Sequence, residues 1–135
     1  MPLSTHTDTP FQTYAEETLD ALLDKEGFLV MLGTAEGTAK LATSGSASIG
    51  VVSKKNPGDI AVQVTALGGA TVVRGRAGGA IPKGSRVVWG TGGKFVVQPG
   101  TAGSYETLGT KVDQGTSADN DFIEILTERV NVTVS

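Results

Sequence analysis

Cysteine is absent from the 135-residue chain, and histidine occurs once, at His6. Without cysteine the chain forms no disulfides, no thiolate nucleophile and no cysteine-ligated zinc or iron–sulfur site. A single histidine also excludes a multi-histidine metal site within one chain. Most metalloenzymes and all cysteine proteases are therefore excluded, and we expect the protein to use no metal and no cofactor.

Long apolar runs are absent as well. No stretch approaches the roughly 18 apolar residues that a membrane-spanning helix needs, so we expect no contact with a membrane. The first ten residues lack the basic segment and the apolar segment of a secretory signal peptide. We therefore expect the chain to be made and kept in the cytosol, or to leave it by a route other than secretion.

Glycine is abundant, with 19 residues, and it separates short runs rich in β-branched side chains. Such runs at roughly ten-residue spacing, without helices between them, predict an all-β fold, a compact antiparallel β-sandwich or small β-barrel. Valine doublets at 51–52, 72–73, 87–88 and 96–97 predict strands buried on both faces. The predicted strands are Phe28–Leu32, Ala39–Thr43, Ile49–Ser53, Ile60–Ala66, Thr71–Arg76, Arg86–Trp89, Phe95–Gln98, Leu108–Val112, Phe122–Thr127 and Val130–Val134.

The N-terminal part of the chain has a different character. Residues 1–13 are rich in threonine and proline and show no apolar periodicity, which predicts an extended arm. Residues 14–26 place Ala15, Leu19, Leu22 and Leu23 at helical spacing, and a glycine follows at position 27, which predicts a short helix. The predicted organisation is an arm over 1–13, a short helix or linker over 14–27 and a β domain over 28–135.

Charge is segregated along the chain. Residues 1–36 carry seven acidic side chains against one lysine, and residues 106–135 carry six against two basic ones. Residues 37–105 carry eight basic side chains against Asp59 alone. Opposite-sign blocks favour self-association or a charged partner.

Two groups of residues are candidates for binding. Phe11 and Tyr14, next to Pro10, either pack on their own domain or anchor the arm on a neighbouring protein. Arg74 and Arg76 share one face of a predicted strand, and Arg86 follows nearby.

A nucleic-acid interface would need aromatic rings among these arginines, and the basic segment offers only Trp89 and Phe95. An acidic protein surface is therefore the favoured partner of the arginines, and nucleic acid is the alternative.

Catalytic motifs are incomplete throughout. Gly93-Lys94 is followed by phenylalanine instead of the serine or threonine of a phosphate-binding loop, and the earlier glycine is missing. The only histidine lies in the predicted arm, where it cannot hold a precise geometry. The remaining candidates have ordinary structural explanations as turns or solvated strand faces: Ser44, Ser46, Ser48, Asp119-Asn120-Asp121, Glu124 and Glu128. We expect the protein not to be an enzyme.

Several segments, in their order along the chain, resemble the head decoration proteins of tailed bacteriophages. They are Phe28-Leu-Val-Met-Leu, Thr38-Ala-Lys-Leu-Ala, Ala47-Ser-Ile-Gly-Val-Val and Gly78-Gly-Ala-Ile-Pro-Lys-Gly-Ser-Arg-Val-Val-Trp-Gly-Thr-Gly-Gly-Lys-Phe, with Leu108-Gly-Thr-Lys a partial match. Ser85 stands where the family often has aspartate, and Lys111 where a small residue is usual. The resemblance covers about residues 28–127 and consists of strand-and-turn motifs without a catalytic fingerprint.

The resemblance implies a β-tulip or β-sandwich-like domain on the outer surface of a virion. It implies binding to the major capsid protein as a homotrimer at threefold or quasi-threefold positions, with an N-terminal arm engaging the shell. Dimeric and monomeric binding occur among relatives of this kind and stay open. A component of the phage tail or fibre is a second structural alternative.

Overall fold

The computed structural model describes residues 11–68 and 71–135, and of Phe11 it describes the backbone alone. The described residues form ten β-strands and no helix. The strands are β1 Phe11–Glu16, β2 Leu29–Leu32, β3 Thr38–Leu41, β4 Gly50–Lys55, β5 Ala61–Ala66, β6 Val72–Arg76, β7 Arg86–Gly90, β8 Lys94–Val97, β9 Gly103–Lys111 and β10 Phe122–Val134. The all-β prediction is confirmed.

The first five strands close into a small barrel in the order β1-β3-β2-β4-β5. Strand β1 closes it, because it runs antiparallel to β5 and parallel to β3. The interior is filled by alternate side chains of these strands and one leucine from a turn. The buried members are Leu22, Val30, Val52, Val62 and Val64.

The other five strands form a sheet in the order β6-β10-β9-β7-β8. A second apolar core, which includes Leu29 and Val51 of the barrel strands, centres on Phe95 and Ile125. Gly75 admits the ring of Phe95, since a Cβ atom at Gly75 would lie 2.5 Å from Cε2 of that ring. Barrel and sheet therefore share this second core, whereas the first core lies inside the barrel alone.

The helix predicted over residues 14–26 is wrong. Residues 14–16 belong to β1, and residues 17–24 form a series of turns. The side chain of Glu16 is buried in the barrel wall, and its two carboxylate oxygens accept the backbone N–H groups of Asp20 and Leu22, each at 2.8 Å. Positive φ angles at Asp20 (61°) and Asp24 (62°) also interrupt any helix. A buried carboxylate thus satisfies the backbone that helical hydrogen bonds would have used.

The predicted boundaries of the arm and of the β domain are also wrong. Residues 11–13 pair with β5, from Phe11 opposite Thr65 onward, so the barrel includes them. Within the described residues, the β domain begins at residue 11 instead of at residue 28. Residues 1–10 of the predicted arm lie outside the described residues.

The other strand boundaries agree with the structure to within two residues, except that β9 begins at Gly103 instead of at the predicted Leu108. The last two predicted strands are one long strand, β10, with an irregularity between Thr127 and Val130. Both-face burial is confirmed for the doublets 51–52 and 87–88. It is wrong for the doublets 72–73 and 96–97, because β6 and β8 are the outer strands of the sheet and expose Val72 and Val97.

Candidate functional site

Arg74 and Arg76 converge on one aromatic ring. The two residues alternate along β6, and Phe122 of β10 lies directly opposite Arg76 in the antiparallel ladder. The guanidinium carbons of Arg74 and Arg76 lie 3.9 and 4.1 Å from the centroid of the Phe122 ring. Cations at this distance are attracted by the electrons of the ring face, so the ring holds both guanidinium groups in place.

Apolar side chains on the same face extend this site. Val72 lies opposite Leu126 in the β6–β10 ladder. The exposed fractions are 54% for Val72, 40% for Phe122 and 39% for Leu126. We call these three residues together with Arg74 and Arg76 the arginine face. It combines exposed apolar area with two fixed positive charges, which is typical of protein-binding surfaces.

Among the described residues, the two arginines of the arginine face form no ion pair with a carboxylate. Five other basic residues each lie within 4.0 Å of a carboxylate, namely Lys40, Lys55, Lys94, Lys111 and Arg129. Within residues 11–68 and 71–135, no carboxylate approaches Arg74 or Arg76 as closely, although Glu124 lies opposite Arg74 in the ladder. The charge of both arginines therefore remains available to a partner.

Arg76 is held on a second side by Phe28. Its guanidinium carbon lies 5.4 Å from the centroid of that ring, which Lys25 and Lys94 also approach, at 5.0 and 5.8 Å. The Nε atom of Arg76 is buried and has no hydrogen-bond partner among the described residues. Packing between two rings, instead of hydrogen bonding, fixes the direction of this side chain.

Arg86, the third arginine predicted for this site, lies elsewhere on the sheet. It is in β7, opposite Thr110 of β9, and two strands separate β7 from β6. Three inter-strand spacings amount to about 14 Å, so Arg86 does not join the other two arginines around Phe122. The structure brings together two of the three.

The N-terminal candidates are distributed differently. Pro10 lies outside the described residues, as does the side chain of Phe11. Tyr14 is half-buried and packs against the apolar interior of the barrel. Its hydroxyl donates a hydrogen bond to Oε1 of Gln12 at 2.9 Å. The Tyr14 ring thus packs on its own barrel, and a role in capsid binding stays a prediction for Pro10, Phe11 and Tyr14.

A buried ionic cluster lies in the barrel wall, away from the arginine face. The Nζ atom of Lys55 lies 2.9 Å from Oδ1 of Asp20 and 3.3 Å from Oε1 of Glu16, and the side chains of Lys55 and Glu16 are fully buried. The hydrogen bond from Lys55 and another from the backbone N–H of Gly58 lower the pKa of Asp20. Burial opposes the charge of Lys55, but its two carboxylate partners raise the pKa of this lysine above its ordinary value. The cluster fastens the turns after β1 to the barrel.

The remaining polar motifs also have structural roles. Asn120, at φ 70°, forms a turn in which Asp121 accepts the N–H of Ala118. Asp119 pairs with Lys94 at 3.1 Å. Within the described part of the chain, no group of three or more histidine, cysteine, aspartate or glutamate side chains is placed to hold a metal ion.

Val72, Phe122 and Leu126 are the members of the site that sequence reasoning missed, and Val72 was expected to be buried. The two aromatic residues of the basic segment do not join the site, because Phe95 is fully buried and Trp89 donates its indole N–H to the carbonyl oxygen of Ala42. Phe122 comes from the acidic C-terminal segment. The alternation of Phe122, Glu124 and Leu126 with buried Ile123 and Ile125 was the available signal for an outward-facing aromatic ring.

The chain matches no protein-family model, and a comparison with curated protein sequences likewise finds no match. No helix among the described residues is long and apolar enough to cross a membrane.

Proposed function

We propose that this protein is a structural capsid decoration protein of a tailed bacteriophage. In this proposal it binds the outer surface of the major capsid protein and stabilises the expanded head. The observation that carries the proposal is the arginine face, where two unneutralised guanidinium groups stack on an exposed phenylalanine between exposed aliphatic side chains.

The composition of this face suits protein binding. Arginine and aromatic residues are enriched in protein interfaces and among the residues that dominate binding energy. A guanidinium group already held by a ring loses little side-chain freedom when it meets a carboxylate. The positive charge of the face favours an acidic patch on the shell.

The segments that resemble decoration proteins support the same proposal. Within the fold they supply β2, β3 and β7 and parts of β4, β8 and β9, so they contribute strands to both the barrel and the sheet. The similarity therefore concerns the elements that form the core. A homotrimer at threefold or quasi-threefold positions is the assembly that accompanies this proposal.

A sedimentation experiment with expanded heads tests the proposal. The variant Arg74→Glu/Arg76→Glu reverses the charge of the arginine face, and Lys54→Glu/Lys83→Glu makes the same change in charge at exposed lysines elsewhere. The proposal expects the arginine variant to lose occupancy on heads and the lysine variant to retain it. Equal occupancy of both variants would reject the arginine face as the binding surface.

The N-terminal segment is the second part of the proposed attachment. A deletion that tests it has to stop at residue 10, because residues 11–13 form part of β1 and their loss would open the barrel. We expect a chain lacking residues 2–10 to fold and to bind heads less tightly than the full chain. Unchanged occupancy would restrict attachment to the β domain.

Binding of nucleic acid is the alternative function, since arginines stacked on an aromatic ring also suit phosphates and bases. It predicts an affinity for DNA that falls steeply with salt. A mobility-shift assay at low ionic strength that shows no complex would remove it. Imaging of purified virions separates a head protein from a tail or fibre component.

A further inference from the structure

The outer edge of β6 presents backbone groups that no strand covers. In the ladder with β10, the N–H of Thr127 bonds to the carbonyl of Thr71 at 2.9 Å, and the N–H of Ala77 bonds to the carbonyl of Asp121 at 2.8 Å. Hydrogen-bonded positions alternate along an antiparallel strand. The backbone groups of Val72 and Arg74 must therefore point away from β10.

These outward-pointing groups have no backbone partner among residues 11–68 and 71–135. The equivalent N–H of Arg76 is used, since it donates to the carbonyl oxygen of Gly27 at 2.9 Å. Within residues 11–68 and 71–135, no backbone group outside β10 bonds to Val72 or Arg74. Two alternate residues of an edge strand thus offer two N–H groups and two carbonyl groups to a partner.

A groove of about 320 Å³ lies beside this edge. Val51, Ser53 and Thr65 of the barrel line one side of it, and Val72, Arg74 and Phe122 line the side of the sheet. The contact of Gly27 with Arg76 closes one end. The space therefore suits a short extended segment rather than a long strand.

We propose that the edge of β6 receives a short extended segment of the partner protein, which adds to the sheet by backbone hydrogen bonds to Val72 and Arg74. This inference rests on the proposed function, because it names the chemistry of the shell segment that the protein recognises. Added strands of this kind derive affinity from the backbone and specificity from alternate side chains.

Strand geometry sets the chemistry of that segment. The two residues of the added segment that lie opposite Val72 and Arg74 would point to the same outward face as both arginines, so carboxylates are favoured at these two positions. The residue between them would point into the groove towards Val51 and Val73, where an apolar side chain is favoured. The segment is thus acidic, apolar and acidic at three successive positions. Glu26 in the groove does not fill this role, because it forms no ion pair with either arginine.

Segments of this chain fit the site less well. Residues 1–10 contain a single acidic side chain, Asp8, and the part of β10 after its irregularity, residues 130–134, contains none. A charged residue on an edge strand can serve only to prevent pairing with other chains, but that role for Arg74 would not account for the exposed Val72 and Phe122 around it. Charge therefore favours a segment from another protein.

A peptide titration followed by amide NMR tests the inference on the isolated protein. The probe is an acetylated and amidated peptide of sequence Ser-Thr-Glu-Val-Glu-Thr-Ser, and the control replaces both glutamates by lysine. We expect the acidic peptide to protect the amides of Val72 and Arg74 from hydrogen exchange and the basic peptide to have no effect. Absence of protection at about 1 mM acidic peptide would overturn the inference.

Two variants separate backbone pairing from charge. Val72→Pro removes one outward N–H without touching a β10 hydrogen bond, and Val72→Ala is its matched control. Arg74→Glu needs no change in the backbone, and we expect it to weaken the acidic peptide at least about tenfold while allowing the lysine peptide to bind. An unchanged preference for the acidic peptide in Arg74→Glu would overturn the inference.

Other occupants of the edge give distinct results. Protection of Val72 and Arg74 that rises with protein concentration without peptide would assign the edge to a second copy and overturn the inference. Protection of the same amides by single-stranded oligothymidylate, but not by the acidic peptide, would assign it to nucleic acid. If the acidic peptide does not bind but Arg74→Glu/Arg76→Glu still loses occupancy on heads, this inference alone is rejected. If the peptide binds but the arginine variant keeps full occupancy on heads, the proposed function is rejected.

Discussion

The backbone N–H of Arg76 donates a hydrogen bond to the carbonyl oxygen of Gly27 at 2.9 Å. This bond joins the segment that leads into β2 of the barrel to the edge strand of the sheet. Gly27 has a φ of +85°, and a Cβ atom there would lie 2.9 Å from the backbone N of Arg76. The contact therefore requires glycine, both because φ is positive and because a Cβ atom would not fit. It holds β6, the strand that carries Arg74 and Arg76, in a fixed position relative to the barrel.

Gly27→Ala should destabilise the protein more than Gly37→Ala does. Both glycines have positive φ angles, +85° and +76°, but nothing lies within 4 Å of a Cβ atom at Gly37. Gly37→Ala should cost only the conformational strain, about 1 kcal/mol. Gly27→Ala adds a backbone clash and should cost about 2–4 kcal/mol by denaturant unfolding. Equal losses would show that the close approach at Gly27 contributes nothing.

Leu22→Ala and Leu19→Ala should differ sharply. Leu22 is 1% exposed inside the barrel, whereas Leu19 is 54% exposed in the turns after β1. Removing a buried leucine side chain costs about 2–5 kcal/mol, and an exposed one costs within about 0.5 kcal/mol. The helix predicted from sequence would have placed both on one apolar face, so similar losses in chemical denaturation would favour that helix.

Asp20→Asn should reduce the sensitivity of the protein to acid. The hydrogen bond from Lys55 holds the pKa of Asp20 below its ordinary value of 3.8. Its ionised form therefore stabilises the fold above that pH, and this contribution is lost as the pH falls through the lowered pKa. The variant should melt at a lower temperature at pH 7, and its melting temperature should fall less as the pH is lowered below 3.8.

Glu17 also contributes to the loss of stability in acid, so Asp20→Asn should remove only part of that loss. A hydrogen bond from the backbone N–H of Thr34 also lowers the pKa of Glu17, so part of the acid dependence should persist in Asp20→Asn. Thermal melts of the variant and the unsubstituted protein that fall in parallel over the acid range would contradict the assignment to Asp20.

The sequence predicts the strands better than the way in which they meet. Glycine punctuation and β-branched runs locate β2 to β10 because both depend on local backbone preferences. Strand β1 was missed because its residues form a strand only through pairing with β5 and β3, and Glu16 looks like a helix former until its burial is known. Local propensity is overridden here by tertiary contacts.

The candidate site shows the same division. The two-residue spacing of Arg74 and Arg76 is enough to place them on one face of a strand. Their partner Phe122 is distant in sequence, and it reaches them only because β10 pairs with β6. The separation of Arg86 likewise follows from strand order, which no local pattern encodes.

Hydroxyl-radical footprinting of Phe122 on decorated heads tests the central claim most directly. The Phe122 side chain is 40% exposed in the isolated protein, and Leu19 and Leu32, each 54% exposed, provide internal references away from the arginine face. If the arginine face binds the shell, oxidation of Phe122 falls strongly on heads while that of at least one reference leucine is unchanged. Equal oxidation of Phe122 in free and head-bound protein would contradict the account.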